Sequence, residues 1–321
     1  MKEIIISKNE SNQRLDRFLK KYMPRASKGF IYKMLRKKRI KLNGKKAKPN
    51  DILKEGDILN LYLAEDTINK FKEEIKIENR KVNLDIVYED ENIILINKPK
   101  GILSHSDRAD NRYDVVNMLI SYLYGKGEYN PNEEKTFTPS ICNRLDRNTS
   151  GIIIGAKNFM ALQLINKAIR EKMIKKYYKC IVKGRVDKDF IIKGYMLKDA
   201  EKNRADIFQN YVNGAKKIET GIKVLKSNDE YSLLEINLIT GRTHQIRAHL
   251  SYLGHPIIGD MKYGDIITNR FFKEKYNLYS QFLHSNRIEF NGLEDCLSYL
   301  NGKSFIADLD DLFEKIIKEL F

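Results

Sequence analysis

The chain has 321 residues, 42% of them hydrophobic, with 59 Lys or Arg and 43 Asp or Glu, enough apolar material for one large or two moderate cores and unlike a disordered tail. Three cysteines, Cys142, Cys180 and Cys296, are widely spaced and never form a C-x-x-C pair, which excludes a disulfide scaffold and fits a reducing cytoplasm. The formal charge of +16 points to phosphates or anionic lipid, and +12 of it lies in residues 1–63, where 18 Lys or Arg meet 6 Asp or Glu.

The N-terminus MKEIIISKNE has one short apolar patch broken by charge, and no run of eighteen apolar residues follows anywhere, so neither a leader nor a membrane span is expected. Two helices come next. Leu15, Phe18, Leu19 and Tyr22 recur at 3-4 spacing, as do Phe30, Ile31, Met34 and Leu35, with Asp16 and Ser27 near the N-terminal ends. RIKLNGKKAKPNDILKEGDILNLYL then reads as short strands broken at Asn43-Gly44, Pro49-Asn50 and Gly56-Asp57. Arg36, Lys37, Lys38, Arg39 and Lys41 leave the second helix for the first strand, where they would line one edge for an RNA phosphate backbone. Arg14-Leu15-Asp16, the IKLNG turn and the EGD before the last strand resemble the small S-four-like RNA-binding domain over about residues 12–63.

Residues 64–81 are charged and lack a clear apolar period, which reads as a linker or frayed strand between a domain at 1–63 and a second one at 82–321. LDIVYEDENIILINKPKG predicts a β-hairpin ending in a Lys98-Pro99-Lys100-Gly101 turn. Helices are expected over Tyr113–Tyr124 and Lys157–Lys172, strands over Gly151–Ala156, Tyr178–Val182, Ile218–Leu225 and Leu233–Ile239, and a long exposed loop over Tyr124–Ser140. Strands mostly follow strands, so the fold class is α+β with a mixed, largely antiparallel central sheet flanked by helices and loops.

No glycine-rich nucleotide loop and no H-x-x-x-H metal pattern is present; His105, His244, His249, His255 and His284 read as structural, and neither metal nor cofactor is expected. Two segments are dense in polar residues that cores normally exclude. In Asn143-Arg144-Leu145-Asp146-Arg147-Asn148-Thr149-Ser150-Gly151 one carboxylate lies between two guanidinium groups, which favour its charged form and suit it to nucleophilic attack or proton abstraction. An Asx-type turn opening the next strand explains the same residues equally well. The second segment runs from Gly241-Arg242-Thr243-His244-Gln245 to Ile246-Arg247-Ala248-His249-Leu250. If Thr243 caps a helix, Gln245, His249 and Tyr252 face one way and Arg247 another, where it could pair with a buried carboxylate; a polar surface helix is the alternative.

These segments also carry a more specific resemblance. R-L-D-x-x-T-S-G at Arg144–Gly151, K-x-Y at Lys176-Tyr177-Tyr178 and G-R-T-H-Q-[LI]-R-x-H at Gly241–His249 are similar to the RluA-type pseudouridine synthases over about residues 82–290. Lys98-Pro99-Lys100-Gly101 with His105, Gly254-His255-Pro256-Ile257 with Gly259-Asp260, and Leu283-His284 are lesser matches.

The resemblance implies an isomerase that turns uridine into pseudouridine without cofactor. In it Asp146 is the catalytic aspartate, Tyr178 stacks on the base and assists proton removal, and Arg247 forms the ion pair that holds Asp146. Arg144 would probe the RNA stack, and Arg147, Thr149, Lys176, Arg242, His244 and Gln245 would meet the substrate. The family more often has His before R-L-D; Asn143 stands here and loses titration near neutral pH. The expected partner is structured RNA, large-subunit ribosomal RNA before transfer RNA, met by a cytoplasmic monomer away from membranes. A non-catalytic RNA-binding or assembly factor is the competing reading.

Overall fold

The computed structural model describes residues 1–72, 82–106, 113–131, 134, 136–199 and 204–321. Its backbone divides into two compact units. One holds Met1–Asn83, Met118–Ser140 and Ala156–Leu162, the other Leu84–Asn117, Ile141–Gly155 and Gln163–Phe321.

Along the chain the first unit begins with β1 (Lys2–Ile5), α1 (Leu15–Tyr22), α2 (Lys28–Arg36), β2 (Ile40–Leu42), β3 (Lys45–Lys46), β4 (Ile58–Leu61) and α3 (Glu65–Phe71). Leu15, Phe18, Leu19 and Tyr22 are all buried, and with Ile31 and Leu35 of α2 they form the core over the four-stranded sheet. Ser27 caps α2 by accepting from the Phe30 amide at 3.1 Å. Asp16 does not cap α1; it pairs with Arg14 at 2.7 Å and accepts from the Tyr32 hydroxyl at 2.9 Å. Asn43 and Gly44 both have positive φ, 49° and 73°, the conformation a two-residue hairpin between β2 and β3 requires.

Two details differ from the sequence reading. The N-terminal patch is a strand, β1, antiparallel to β4, so the module is not only helix–helix–strand. The segment read as a linker opens with α3, anchored by buried Ile68 and by Phe71, whose ring lies 4.7 Å from that of Phe30. Two anchors are too few to show as a period. Residues 73–81 of that segment, and 132, 133 and 135 of the Tyr124–Ser140 loop, lie outside the described residues.

The chain continues through β5 (Ile86–Glu89), β6 (Ile93–Lys98), α4 (Val115–Gly125), β7 (Ser140–Ile141), β8 (Ser150–Ala156), α5 (Phe159–Arg170), β9 (Ile174–Lys183), β10 (Phe190–Asp199), β11 (Arg204–Phe208), β12 (Lys216–Ser227) and β13 (Tyr231–Leu238). It ends with α6 (Gln245–Tyr252), α7 (Ile266–Tyr276), β14 (Leu283–Phe290), β15 (Ser304–Ile306) and α8 (Asp311–Leu320). Among the described residues eleven strands form one sheet in the order β11-β10-β12-β13-β9-β14-β8-β6-β5, with β15 on β14 and β7 on β8. β14 runs parallel to β8, whereas β11-β10, β10-β12, β12-β13, β13-β9, β9-β14, β14-β15 and β6-β5 are antiparallel pairs, so the sheet is mixed and largely antiparallel. Among the described residues no helix is long and apolar enough to cross a membrane.

The register of β14 sets the height of the loop before β8. Ser285 of β14 pairs with Tyr178 of β9 on one side and with Gly151 of β8 on the other. Gly151 has φ +106°, and a Cβ there would stand 2.3 Å from the Ser285 carbonyl oxygen. Only glycine allows this approach, which brings the loop ending at β8 level with Tyr178.

Candidate active site

The loop before β8 is tied down from several sides. Ser104 donates to the Leu145 carbonyl at 2.7 Å and accepts from the Leu145 amide at 2.9 Å. Lys98, fully buried, donates to the carbonyls of Pro99, Ile102 and Arg147 at 2.8, 2.9 and 3.0 Å. Burial pushes its ammonium down to about 7, against the pull of the Asp146 carboxylate, while three acceptors take up its three protons. Arg147 returns its Nε to the Gly101 carbonyl at 2.9 Å. Asn143 is spent on β8: its Oδ1 accepts from the Ile154 amide at 2.8 Å and its Nδ2 donates to the Ile152 carbonyl. The 143–149 segment is thus held from both sides, and Asp146 opens its turn, with its carbonyl accepting from the Thr149 amide at 3.0 Å.

Across from it stands α6, a short helix whose sequence explains itself once its partners are known. Gln245 donates to the Glu219 carbonyl and Thr220 Oγ1, at 3.1 and 3.0 Å, and accepts from the Thr240 hydroxyl and the Arg242 amide. Its amide is therefore used up inside the fold, locking the 240–242 turn. His249 bonds Thr220 Oγ1 through Nδ1 at 3.0 Å, so Gln245 and His249 do face one way. The cap is not Thr243, which is exposed, but His244, whose backbone is left-handed at φ +62°.

Arg247 faces the other way. Its Nε and Nη2 donate to Asp260 at 2.7 and 2.9 Å, and its Nη1 reaches Asp146 Oδ2 at 2.9 Å. Asp260 has a fully buried side chain and also accepts from the amides of Lys262 and Tyr263. Burial pushes its carboxyl up, but the Arg247 hydrogen bonds and charge and the two amides hold it below the usual carboxylate range. Sequence reasoning noticed Gly259-Asp260 without giving the aspartate a task; a carboxylate close downstream of an arginine in a polar cluster was the available signal.

Arg144, Leu145, Asp146, Thr149, Tyr178, Leu238, Arg242, His244, Gln245, Ile246, Arg247 and Leu283 line one open pocket with about 60 Å³ of free volume. Asp146, 24% exposed, keeps its free edge on that space. Burial pushes the Tyr178 phenol well up, and the Asp146 charge adds to this, so the ring keeps its proton. Thr149 is buried and accepts from Gln281 at 3.1 Å. Of the sequence candidates in this unit, Arg147 and Lys176 fall outside the lining. Lys176, pushed down by burial, lies beside Gly241 instead.

Residues 92–252 match the family model described as RNA pseudouridylate synthase, and residues 13–59 match that of the S4 domain. A relative described as an uncharacterised RNA pseudouridine synthase of Mycoplasma capricolum subsp. capricolum is 34% identical over 97% of this chain and 98% of its own. The chain belongs to the RNA pseudouridine synthase family.

This RNA pseudouridine synthase, an isomerase, is also similar to the ribosomal large subunit pseudouridine synthase C of Buchnera aphidicola subsp. Baizongia pistaciae, 32% identical over 98% of this chain and 96% of that one. The structure of human RNA pseudouridylate synthase domain containing 4 superposes with a TM-score of 0.56 at 22% identity, covering 73% of this chain and 92% of that one, which shows the shared fold.

In the S4 domain of this synthase Arg36, Lys37, Lys38 and Arg39 are exposed, and Lys41 is half-buried with its ammonium 5.2 Å from the Tyr62 ring. A second basic feature escaped the sequence reading. Arg14, Arg17, Lys20, Lys21 and Lys28 line a groove of about 560 Å³ with Asp16, Ile31 and Tyr32. The apolar spacing of α1 and α2 drew attention to their buried faces, although the same spacing puts these charges together on the outer one.

Proposed function

We propose that this chain isomerises specific uridines of large-subunit ribosomal RNA, with Asp146 as the reacting carboxylate and no cofactor. The observation that carries the proposal is the Asp146–Arg247 pair, 2.9 Å apart in a pocket that Tyr178 also lines. In the reaction the bond from ribose C1′ to N1 of uracil breaks, the base turns, and C1′ joins C5. C5 releases a proton and N1 takes one up, so no electrons enter or leave and no redox partner is required.

Asp146 offers the anionic oxygen, and Arg247, itself anchored on Asp260, fixes where that oxygen points. Tyr178 offers its ring face for stacking; as a phenol that keeps its proton it is a poor base, which leaves the proton at C5 to another acceptor. Reaching the base means lifting it from its stack, at about a few kcal/mol, and phosphate contacts offset this. Arg36–Arg39 and the α1–α2 groove supply such contacts in this account. The free volume of about 60 Å³ is small, so exposed Arg144 and Arg242 at the rim swing aside as the base enters. The ribosomal target rests on the Buchnera relative, which matches both parts of the chain.

Mapping pseudouridines by carbodiimide chemistry, with and without the gene, tests the target. Loss of a pseudouridine from large-subunit ribosomal RNA supports it, whereas loss confined to transfer RNA rejects it. Absence of tritium release from uridine-labelled RNA would leave an RNA-binding factor instead.

A further inference from the structure

We propose that His244 is a neutral hydrogen-bond donor to a carbonyl oxygen of the extruded uracil, and that the Tyr263 hydroxyl holds it in that state. The inference rests on the reading that the Asp146 pocket is where isomerisation occurs.

The bonding pattern assigns the proton positions. Tyr263 Oη accepts from the Ala205 amide, at the start of β11, at 2.8 Å. Among the described partners of that oxygen, His244 Nδ1, at 3.2 Å, is the one able to take the hydroxyl proton, and the proposal places it there. The two rings meet edge on, 5.6 Å apart. A neutral imidazole that accepts at Nδ1 carries its hydrogen on Nε2. Nε2 lies 3.8 Å from Asp146 Oδ2, beyond hydrogen-bond reach, on the pocket wall. This donor is therefore aimed at the place where a substrate atom enters. The Tyr263 ring itself has little freedom, with the guanidinium groups of Arg247 and Arg204 at 5.3 and 5.1 Å.

Two further features fit. His244 adopts φ +62°, a left-handed conformation uncommon outside glycine, and such a conformation is retained where surroundings or function demand it. The charged groups around the imidazole are Asp146 from the catalytic turn, Arg247 from α6, and Asp260 and Lys262 from the segment after it, with Tyr263 as the hydrogen-bond partner. Their charges oppose one another, and burial pushes the imidazole below its ordinary value. An imidazolium 3.8 Å from Asp146 would be drawn onto that carboxylate and compete with Arg247. A neutral ring does not.

The chemistry gives this donor a use. When the C1′–N1 bond breaks, its electron pair stays with the base and the charge spreads over N1, O2 and O4. If a carboxylate instead adds at C6, charge collects on O4. In both routes a fixed N–H facing a carbonyl oxygen binds the transition state better than the ground state. His244 is then a catalytic residue, and Tyr263 a positioning residue that acts through it.

Imidazole 15N spectra of the full chain at neutral pH read the tautomer directly. His244 is expected with Nε2 protonated and Nδ1 bare, a preference weakened in Tyr263→Phe. Single-turnover tritium release from uridine-labelled, unmodified large-subunit ribosomal RNA is expected to slow about 100-fold in His244→Phe, with RNA affinity retained and part of the rate recovered in His244→Gln. A protonated Nδ1 in the wild type, or a His244→Phe rate within about twofold of wild type, overturns the proposal. Turnover by Asp146→Asn would overturn the pocket assignment instead, and the NMR result stands apart from that outcome.

Discussion

Arg247 gives Asp260 two of its nitrogens, at 2.7 and 2.9 Å, and keeps the third for Asp146. The fork geometry of guanidinium makes this division possible, and a lysine cannot reproduce it. Asp260 thus orients a residue of the pocket without lining the pocket itself.

Replacing Asp260 by Asn keeps its shape and removes its charge, leaving Arg247 half-anchored in a buried setting. Urea unfolding is expected to show a loss of about 3 kcal/mol. Single-turnover rates on folded protein should fall at least about tenfold with RNA affinity retained. Unchanged turnover per folded molecule would deny Asp260 any part in orienting Arg247.

Gly151 allows β8 to approach β14 closely. In Gly151→Ala the new methyl meets Ser285 backbone atoms at 2.3–2.7 Å in a conformation that L side chains rarely adopt. A loss of about 3 kcal/mol is expected, together with reduced turnover because the turn that carries Asp146 shifts relative to Tyr178. Thermal melting and tritium release measure the two effects separately.

Acid should weaken the fold through two buried histidines. Burial pushes His249 and His284 down to about 4, below the reference of about 6.5 for an unfolded chain. The unfolded state therefore binds more protons between these values. Stability is fully present above pH ~6.5 and declines as pH falls toward ~4. From pH ~6.5 to ~5 the loss is roughly 2 kcal/mol for each histidine. His284→Gln should remove part of this slope in urea titrations; an identical slope would contradict the assignment.

The α1–α2 groove should show itself in salt dependence. Arg17, Lys21 and Lys28 are exposed on its wall. If they meet phosphates, changing all three to Gln lowers the slope of log affinity against log salt by about 2 to 3. An unchanged slope in filter-binding or anisotropy titrations would place the RNA backbone elsewhere.

How far the sequence could be read depends on how local each signal is. The buried stripe of α1, the Asn43-Gly44 hairpin and the apolar strand Ile152–Ile154 are encoded within a few residues, and each forms as expected. The pairing of Arg247 with Asp146 came through family resemblance, and the fold brings them to 2.9 Å. Other features depend on distant chain. The anchor Asp260 returns to Arg247 only because α6 and the next turn pack together. β10 alternates weakly, with Ile191 exposed, and α7 starts with Ile266 and Ile267 in solvent, so a hydrophobic-inside rule misses both. The left-handed cap at His244 is bound up with the Tyr263 contact, which no local pattern displays.

The most direct test of the central claim is tritium release from uridine-labelled ribosomal RNA by the Asp146→Asn variant, with folding and RNA affinity measured on the same preparation. Conversion should vanish while melting temperature and affinity stay near those of the wild type. Conversion at a comparable rate would contradict the assignment of Asp146 as the reacting carboxylate.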